Sequence, residues 1–557
     1  MKKALYVALV GIIIIAFIVA LIKFRQRTKD KEAMKMIDEI VAKIEPVMKE
    51  SALAYWNATT TGEQKYYDEY EAKELEYRKI LSDKETFGKL KELKDGRYKD
   101  STIKREVEIL YLDFLANQIP EELTKEIVKR ETDLTKKFTT FRAKVDGKEM
   151  TDNEIKEVLR KSVDLKEREA VWSASKQVGR EVAADLIELV KLRNKAAGLL
   201  GFKDYYEMQL YMQEFTEEGL YKILDELAKF TEEPFTELKG EIDRYLAQKY
   251  GIEPQELRPW HYEDPFFQEV PKLYEVDFDK FFKGKDIVEI TRRYYDSIGL
   301  NIDDIISRSD LFEKKGKEQH AYCTDIDRKG DVRILANVKD NEYWMGTMLH
   351  ESGHAVYDKF QLQTTPFILR EAAHIFTTEG IAELFGRLQY SPEWIAFATG
   401  ITPSPEEAEN LRKLLRAQML LFARWVLVMT NFERELYKNP DQNLNALWWE
   451  LVEKYQKVHG PYGRNEPDWA AKIHFSTAPV YYHNYILGEM FASQLTHYIQ
   501  QNIVPPEEAY FMLSQKIGPY LKERVFEPGR KMRWDELVKY ATGEELTAKY
   551  FADQFAK

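Results

Sequence analysis

His350-Glu351-Ser352-Gly353-His354 constrains this chain more tightly than any other stretch. Two histidines four residues apart can offer nitrogens to one metal ion only from a single helix face. Glu351 adds a carboxylate within reach of a water held by that ion. The box therefore demands a helix, and an ion there demands a further ligand from a second element packed against it. Asp340 and Asn341 are good caps for this helix, and Tyr343, Met345, Met348, Leu349 and Val356 supply its apolar faces. Gly353, with Ser352 and Ala355, leaves room close to the helix axis.

The next helical pattern supplies the missing carboxylate. In Phe376-Thr377-Thr378-Glu379-Gly380-Ile381-Ala382-Glu383, Glu379 lies 25 residues after His354 and Glu383 one turn further along the same face. Glu379 is assigned as the third ligand. Glu383 is read as an outer carboxylate that orients a ligand histidine, and Asp358 as a second candidate for such a role, the alternative being an ordinary surface residue. Ile375, Phe376, Ile381, Leu384 and Phe385 surround the pair, so this is no solvated charged face. Histidine usage points to the same region, since eight of the nine histidines lie between His320 and His497. Cys323 is the only cysteine, so a metal here is held by His and carboxylates.

Almost everything after residue 36 reads as helix, giving an all-α fold. Ile37, Ile40, Val41, Ile44 and Met48 form one stripe, with Pro46 weakening its last turn. Further helices are expected at 106–115, 182–200, 221–246, 406–437, 444–458 and 507–521. The clearest strand signal is His320 to Val338, two β-rich runs around Asp327-Arg328-Lys329-Gly330, which reads as an antiparallel hairpin beside the site. No Gly/Ser- or Pro-rich linker divides 36–557, so one two-lobed domain around a deep central cleft is expected.

The amino terminus is read separately. Ala4 to Ile22 is an uncharged run of 19 residues, about 28 Å as a helix, enough to span a bilayer core. It is long for a signal-peptide core and has no small-x-small site before Lys23, so residues 1–22 are read as an uncleaved single-pass anchor in the lipid bilayer of the cell membrane. Residues 23–35 are then a basic linker. Flanking Lys and Arg favour a cytoplasmic body, whereas anchored enzymes with a short basic start often face outward, so the membrane face stays open. The net charge of −12 argues against general nucleic-acid binding.

Taken together, these residues resemble the angiotensin-converting-enzyme family and the neighbouring thimet and F-type oligopeptidases. The resemblance extends beyond the box. Ser51-Ala52-Leu53-Ala54-Tyr55-Trp56-Asn57-Ala58-Thr59-Thr60 is similar to the converting-enzyme amino-terminal motif. Arg193 to Phe202 is similar to an oligopeptidase pattern, and Leu369-Arg370-Glu371 to the converting-enzyme approach to its third ligand. Phe526 to Arg530, Trp534 and Thr542-Gly543-Glu544 fit the shared carboxy-terminal pattern.

The resemblance implies one catalytic Zn2+ on His350, His354 and Glu379, with Glu351 as general base and then proton donor to the leaving amine. It implies that His320 and Ala321 hold substrate, and that Lys472 and His474 engage the carboxyl end of a peptide. Tyr482 and Tyr485 would match the family Tyr-x-x-Tyr, with Tyr485 and a histidine, His474, stabilising the oxyanion. Three departures stand out. The intervals from His354 to Glu379 and from His474 to Tyr482 are each one residue longer than in typical converting enzymes. Asn484 stands where chloride-activated members carry Arg. If Trp260 is the anchor, Tyr262 replaces a carboxylate-binding Gln. The expected function is a membrane-anchored zinc peptidase acting on short peptides. The alternatives are a peptidyl-dipeptidase releasing carboxy-terminal dipeptides and an inactive, membrane-tethered peptide-binding protein.

Overall fold

Helices dominate because apolar stripes recur at helical spacing along most of the chain. The computed structural model describes residues 2–505 and 510–557, with side chains from residue 29 onward. The span at 4–22 expected to cross a membrane has its side chains outside the described residues. Among the described residues no helix is long and apolar enough to cross a membrane.

The first helix, Lys2–Thr61, includes residues 29–35, which were expected to end a linker. Ala33 within it is fully buried, so packing begins before residue 36. Pro46 does not end this helix. A proline in a helix interior costs roughly 3 kcal/mol, but each fully buried aliphatic side chain contributes about 1.5–3 kcal/mol. Ile37, Ile40 and Ile44 are buried against Leu90, Leu93, Val107 and Leu110, which outweighs the proline. The same smaller core takes in Phe367, Ile368 and Leu369, the segment leading to Glu379.

The main core runs from Leu134 to Phe555 and is shared by Gln177–Leu199, Glu217–Tyr250, Pro405–Lys438 and His483–Asn502. The helix expected at 507–521 does not form as one element. Residues 506–509 lie outside the described residues, and beyond them come a short turn at Phe511–Leu513 and the helix Ile517–Leu521. Gly518 N–H donates to Ile298 O at 3.0 Å, a bond to a distant segment in place of one within a longer helix.

The expected hairpin is present as strands Tyr322–Asp325 and Val332–Leu335, antiparallel with Tyr322 opposite Leu335. Asp310 pairs on the far side of Val332–Leu335, so among the described residues the outer edge of Tyr322–Asp325 is unpaired by any strand. The amino-terminal helix braces this hairpin. Thr59 Oγ1 and Tyr322 Oη are 2.6 Å apart, and Trp56 packs with Ile326 and Leu335. A second small hairpin, Ala143–Val145 with Lys148–Met150, lies away from the site residues in sequence.

Candidate metal centre

Three helices meet at the site because glycines let their backbones touch. The box helix, Glu342–Lys359, starts at Asn341, whose side chain accepts from Trp344 N at 3.0 Å. A Cβ at Gly353 would lie 2.7 Å from Ala382 Cα, on the helix Ile375–Gly386. The space beside Gly353 is therefore filled by a neighbouring backbone, not left open as its small neighbours in the sequence suggest. A Cβ at Gly488, on the helix His483–Asn502, would lie 2.9 Å from Glu379 Cβ. Overlaps of this kind cost about 1–3 kcal/mol or shift the helices apart, and here a shift would carry Glu379 away from the histidines.

Ligand atoms of His350, His354 and Glu379 all lie within 4.8 Å of one another, the only such triad among the described residues. The two histidine Nε2 atoms are 3.2 Å apart, and Glu379 Oε2 lies 3.7 Å from the first and 3.9 Å from the second. Two imidazole nitrogens and a carboxylate converging in a half-buried setting fit a zinc ion with a fourth position free. Burial and then the positive His350 push the His354 ring well below its ordinary range, which keeps it neutral. For His350, burial works in the opposite direction to Glu383, Glu351 and Glu379, and the carboxylates win.

Outer partners are partly those expected. Glu383 Oε1 lies 3.5 Å from His350 Nδ1. The partner of His354 Nδ1 is Thr378 Oγ1 at 2.7 Å, a residue that no sequence pattern singles out. Asp358, expected in that role, instead lines a separate cavity of about 360 Å³ with Cys323, Asp325, Arg328 and Glu371. One turn of helix past His354, it points its carboxyl toward the hairpin. Tyr481 is likewise unmarked in the sequence, and its hydroxyl reaches Glu379 Oε1 at 3.5 Å. It occupies the longer interval after His474 and follows Val480, whose φ of 55° is held by Glu433 and Gln213.

Glu351 is 9 % exposed. Burial pushes its carboxyl up, while the positive His350 and the backbone of Cys323 on the hairpin oppose this. His350, Glu351, His320 and Ala321 line one cavity of about 410 Å³. His320 is exposed, with Nδ1 3.0 Å from Glu318 Oε1.

The remaining site residues form an aromatic wall. Tyr485 packs on Tyr481 and Tyr482, with ring centroids 5.2 and 5.4 Å away. Tyr482 is buried, its hydroxyl accepting from Trp425 Nε1 at 2.7 Å, and its ring lies 5.1 Å from His474. Burial and then Lys472 lower His474 to about 4, and its Nδ1 is buried without a partner. The buried Arg193 fixes this turn by donating to Phe475 O at 2.9 Å and Ser476 O at 2.5 Å.

Lys472 Nζ donates to Gln268 Oε1 at 3.0 Å, and burial lowers it to about 8. This corrects the expectation for Tyr262. That residue is buried elsewhere, its hydroxyl bonded to Lys239 and Asp243, and the glutamine beside Lys472 is Gln268. No local pattern marks Gln268, because its partner is 204 residues away. Asn484 is fully buried and donates to Gln213 Oε1 at 3.0 Å.

Comparison with known proteins agrees with this geometry. The profile of Peptidase family M3 matches residues 158–557, and that of Angiotensin-converting enzyme matches residues 27–261. An angiotensin-converting enzyme of Theromyzon tessulatum is 22% identical over 462 residues, covering 75% of this chain and 74% of that protein. An angiotensin-converting-enzyme-like protein of Mus musculus is 22% identical over 441 residues, covering 72% of this chain and 59% of that protein. Carboxypeptidase 1 of Bacillus subtilis is 23% identical over 264 residues, 42% of this chain and 51% of that protein. The chain thus spans about three quarters of the first relative's length and less of the others. With its His-His-Glu triad inside the M3 match, which covers well over half of the sequence, the chain belongs to Peptidase family M3 and is a zinc metallopeptidase of the angiotensin-converting-enzyme and M3 type.

Proposed function

We propose that this chain hydrolyses peptide bonds in short peptides at His350, His354 and Glu379, with Glu351 as general base. The observation that carries this reading is the shared cavity, in which Glu351 and His350 stand beside His320 and Ala321. Zinc held by the triad would lower the pKa of a coordinated water and polarise the scissile carbonyl. Glu351 then takes a proton from the attacking water and returns it to the leaving amine. Its buried setting makes it the stronger proton acceptor that this cycle needs. Tyr485, half-buried in the aromatic wall, donates to the developing oxyanion together with His474. Glu383 and Thr378 hold the ligand imidazoles in orientation. The free edge of Tyr322–Asp325 pairs with an extended peptide by strand addition.

A second reading, release of carboxy-terminal dipeptides, is favoured by the Lys472–Gln268 contact next to Tyr482. A buried ammonium and an amide at the end of an aromatic wall suit a peptide carboxylate. Residues 4–22 add a membrane anchor to either reading. Loss of membrane association on deleting residues 1–22 is the check.

The central test is Glu351→Gln in the zinc-loaded protein, with zinc content and cleavage measured together. Retained zinc with abolished cleavage is expected. Unchanged turnover would remove Glu351 from the mechanism, and a parent protein that binds peptides but never cuts them would favour an inactive peptide-binding protein. Amidating the peptide carboxyl separates the two enzymatic readings, because only dipeptide release needs a free carboxylate.

A further inference from the structure

In the cavity beside the box helix, Glu342 and Gln389 each present an acceptor that no cation among the described residues meets. Glu342, in the first turn of that helix, is half-buried in the cavity wall. Tyr390 donates its hydroxyl to Glu342 Oε1 at 3.0 Å, and among the described residues no Lys, Arg or His pairs with this carboxylate. Gln389 lines the same cavity, and its Oε1 is buried without a partner. Arg387 is also in the wall but is already engaged. Its guanidinium donates to the Glu489 carboxylate and to Ser493, and it packs on Phe555.

Two half-buried carboxylates elsewhere near the site are matched by arginines, whereas Asp358, also half-buried, has no Lys, Arg or His within ion-pair distance among the described residues. Glu371 meets Arg328 and Arg530, and Glu214 meets Arg105. Leaving a desolvated carboxylate unmatched is costly unless a ligand completes it. Leu415, Met419 and the rings of Tyr343 and Tyr390 give the cavity an apolar side, with Tyr343 60 % exposed, while His320, Thr347, His350, Glu351 and Glu383 line the rest of it. Such a pocket suits a side chain with an aliphatic stem and a cationic head that donates several hydrogen bonds. Because His350 and Glu351 line the same space, that side chain belongs to a residue next to the scissile bond.

We infer that this cavity receives a lysine or arginine side chain of the substrate, with Glu342 as its counter-ion and Gln389 as a second acceptor. The inference rests on the peptidase reading and names the substrate class of that site.

The test uses the zinc-loaded full chain and peptides in which arginine, citrulline or norleucine is walked through the positions around the cut. Citrulline keeps the shape of arginine and removes the charge. At one position kcat/KM for arginine should exceed that for citrulline by about 10-fold or more, the range of a charge-assisted contact. Glu342→Gln, which still accepts from Tyr390, should bring the arginine-to-citrulline ratio close to one. A preference that survives Glu342→Gln, or no preference at any position, overturns the pocket while leaving the peptidase reading intact. Should the parent protein cleave none of the peptides, the peptidase reading fails. Affinities of the same peptides for the zinc-loaded Glu351→Gln protein then judge the pocket alone, and equal affinities for arginine and citrulline overturn it.

Discussion

The three side chains of the candidate metal triad come from two helices and are 29 residues apart at most, His350 to Glu379, and each is placed by the helix it sits on. The wall around Lys472 is assembled differently. Gln268, Trp425, Lys472 and Tyr482 reach it from four separate segments, and buried Arg193 clamps the turn that carries His474 from a fifth. The first region depends on helix periodicity and on glycines at the crossings. The second depends on the whole main core being closed. Damage to the first should therefore abolish chemistry outright, and damage to the second should redirect or weaken it.

The largest expected effect lies in the metal region. Glu379→Gln should lower zinc affinity by more than the roughly 10–100-fold typical of outer-partner changes, with cleavage falling to background. Zinc analysis and peptide assay on the same sample check this. Full zinc content with full activity would mean that the third ligand lies elsewhere and that the two-helix account is wrong.

An intermediate effect sits where the regions meet. Tyr485→Phe should lower kcat by about 10²–10³-fold, the usual loss for one oxyanion donor, with zinc content unchanged. A rise in KM alone would move Tyr485 out of the chemistry and into the binding wall.

The smallest effect belongs to the wall itself. Gln268→Ala should raise KM for peptides with a free carboxyl end by about 10-fold and leave amidated peptides unaffected. Lys472 carries its charge below about pH 8 and loses it above, because burial disfavours the ammonium. The KM of free-carboxyl peptides should accordingly climb as pH rises through 8, while that of amidated peptides stays flat. A flat profile for both would separate Lys472 from the peptide carboxylate and leave endo-acting cleavage as the better reading.

The metal site is legible in the amino-acid sequence because its signal is local. An i, i+4 pair of histidines, a carboxylate between them and a second helix with Glu379 and Glu383 on one face are periodic features. The hairpin is legible for the same reason, as two β-rich runs around a turn. Thr378 and Tyr481 are not, although both lie within a few residues of recognised site positions. Their roles depend on rotation about the helix and on the positive φ at Val480, which no composition reveals. Asp358 is misplaced by sequence reasoning because its distance from His354 along the helix says nothing about which neighbour faces it.

By itself the sequence determined the helical class, the His-Glu-x-x-His helix, the placing of Glu379 on the next helix as the candidate third ligand, and the hairpin beside them. Only the tertiary structure decided that Gln268, and not Tyr262, meets Lys472. The same holds for Gly353 and Gly488, which serve as points of helix contact, and for Glu342, which lines the cavity with no cation among the described residues beside it. The physical reason is the range of the interactions. Helix periodicity acts over three or four residues and is written into the chain. Partners for buried polar groups are chosen across the core, where any of several distant segments can satisfy the same hydrogen bond.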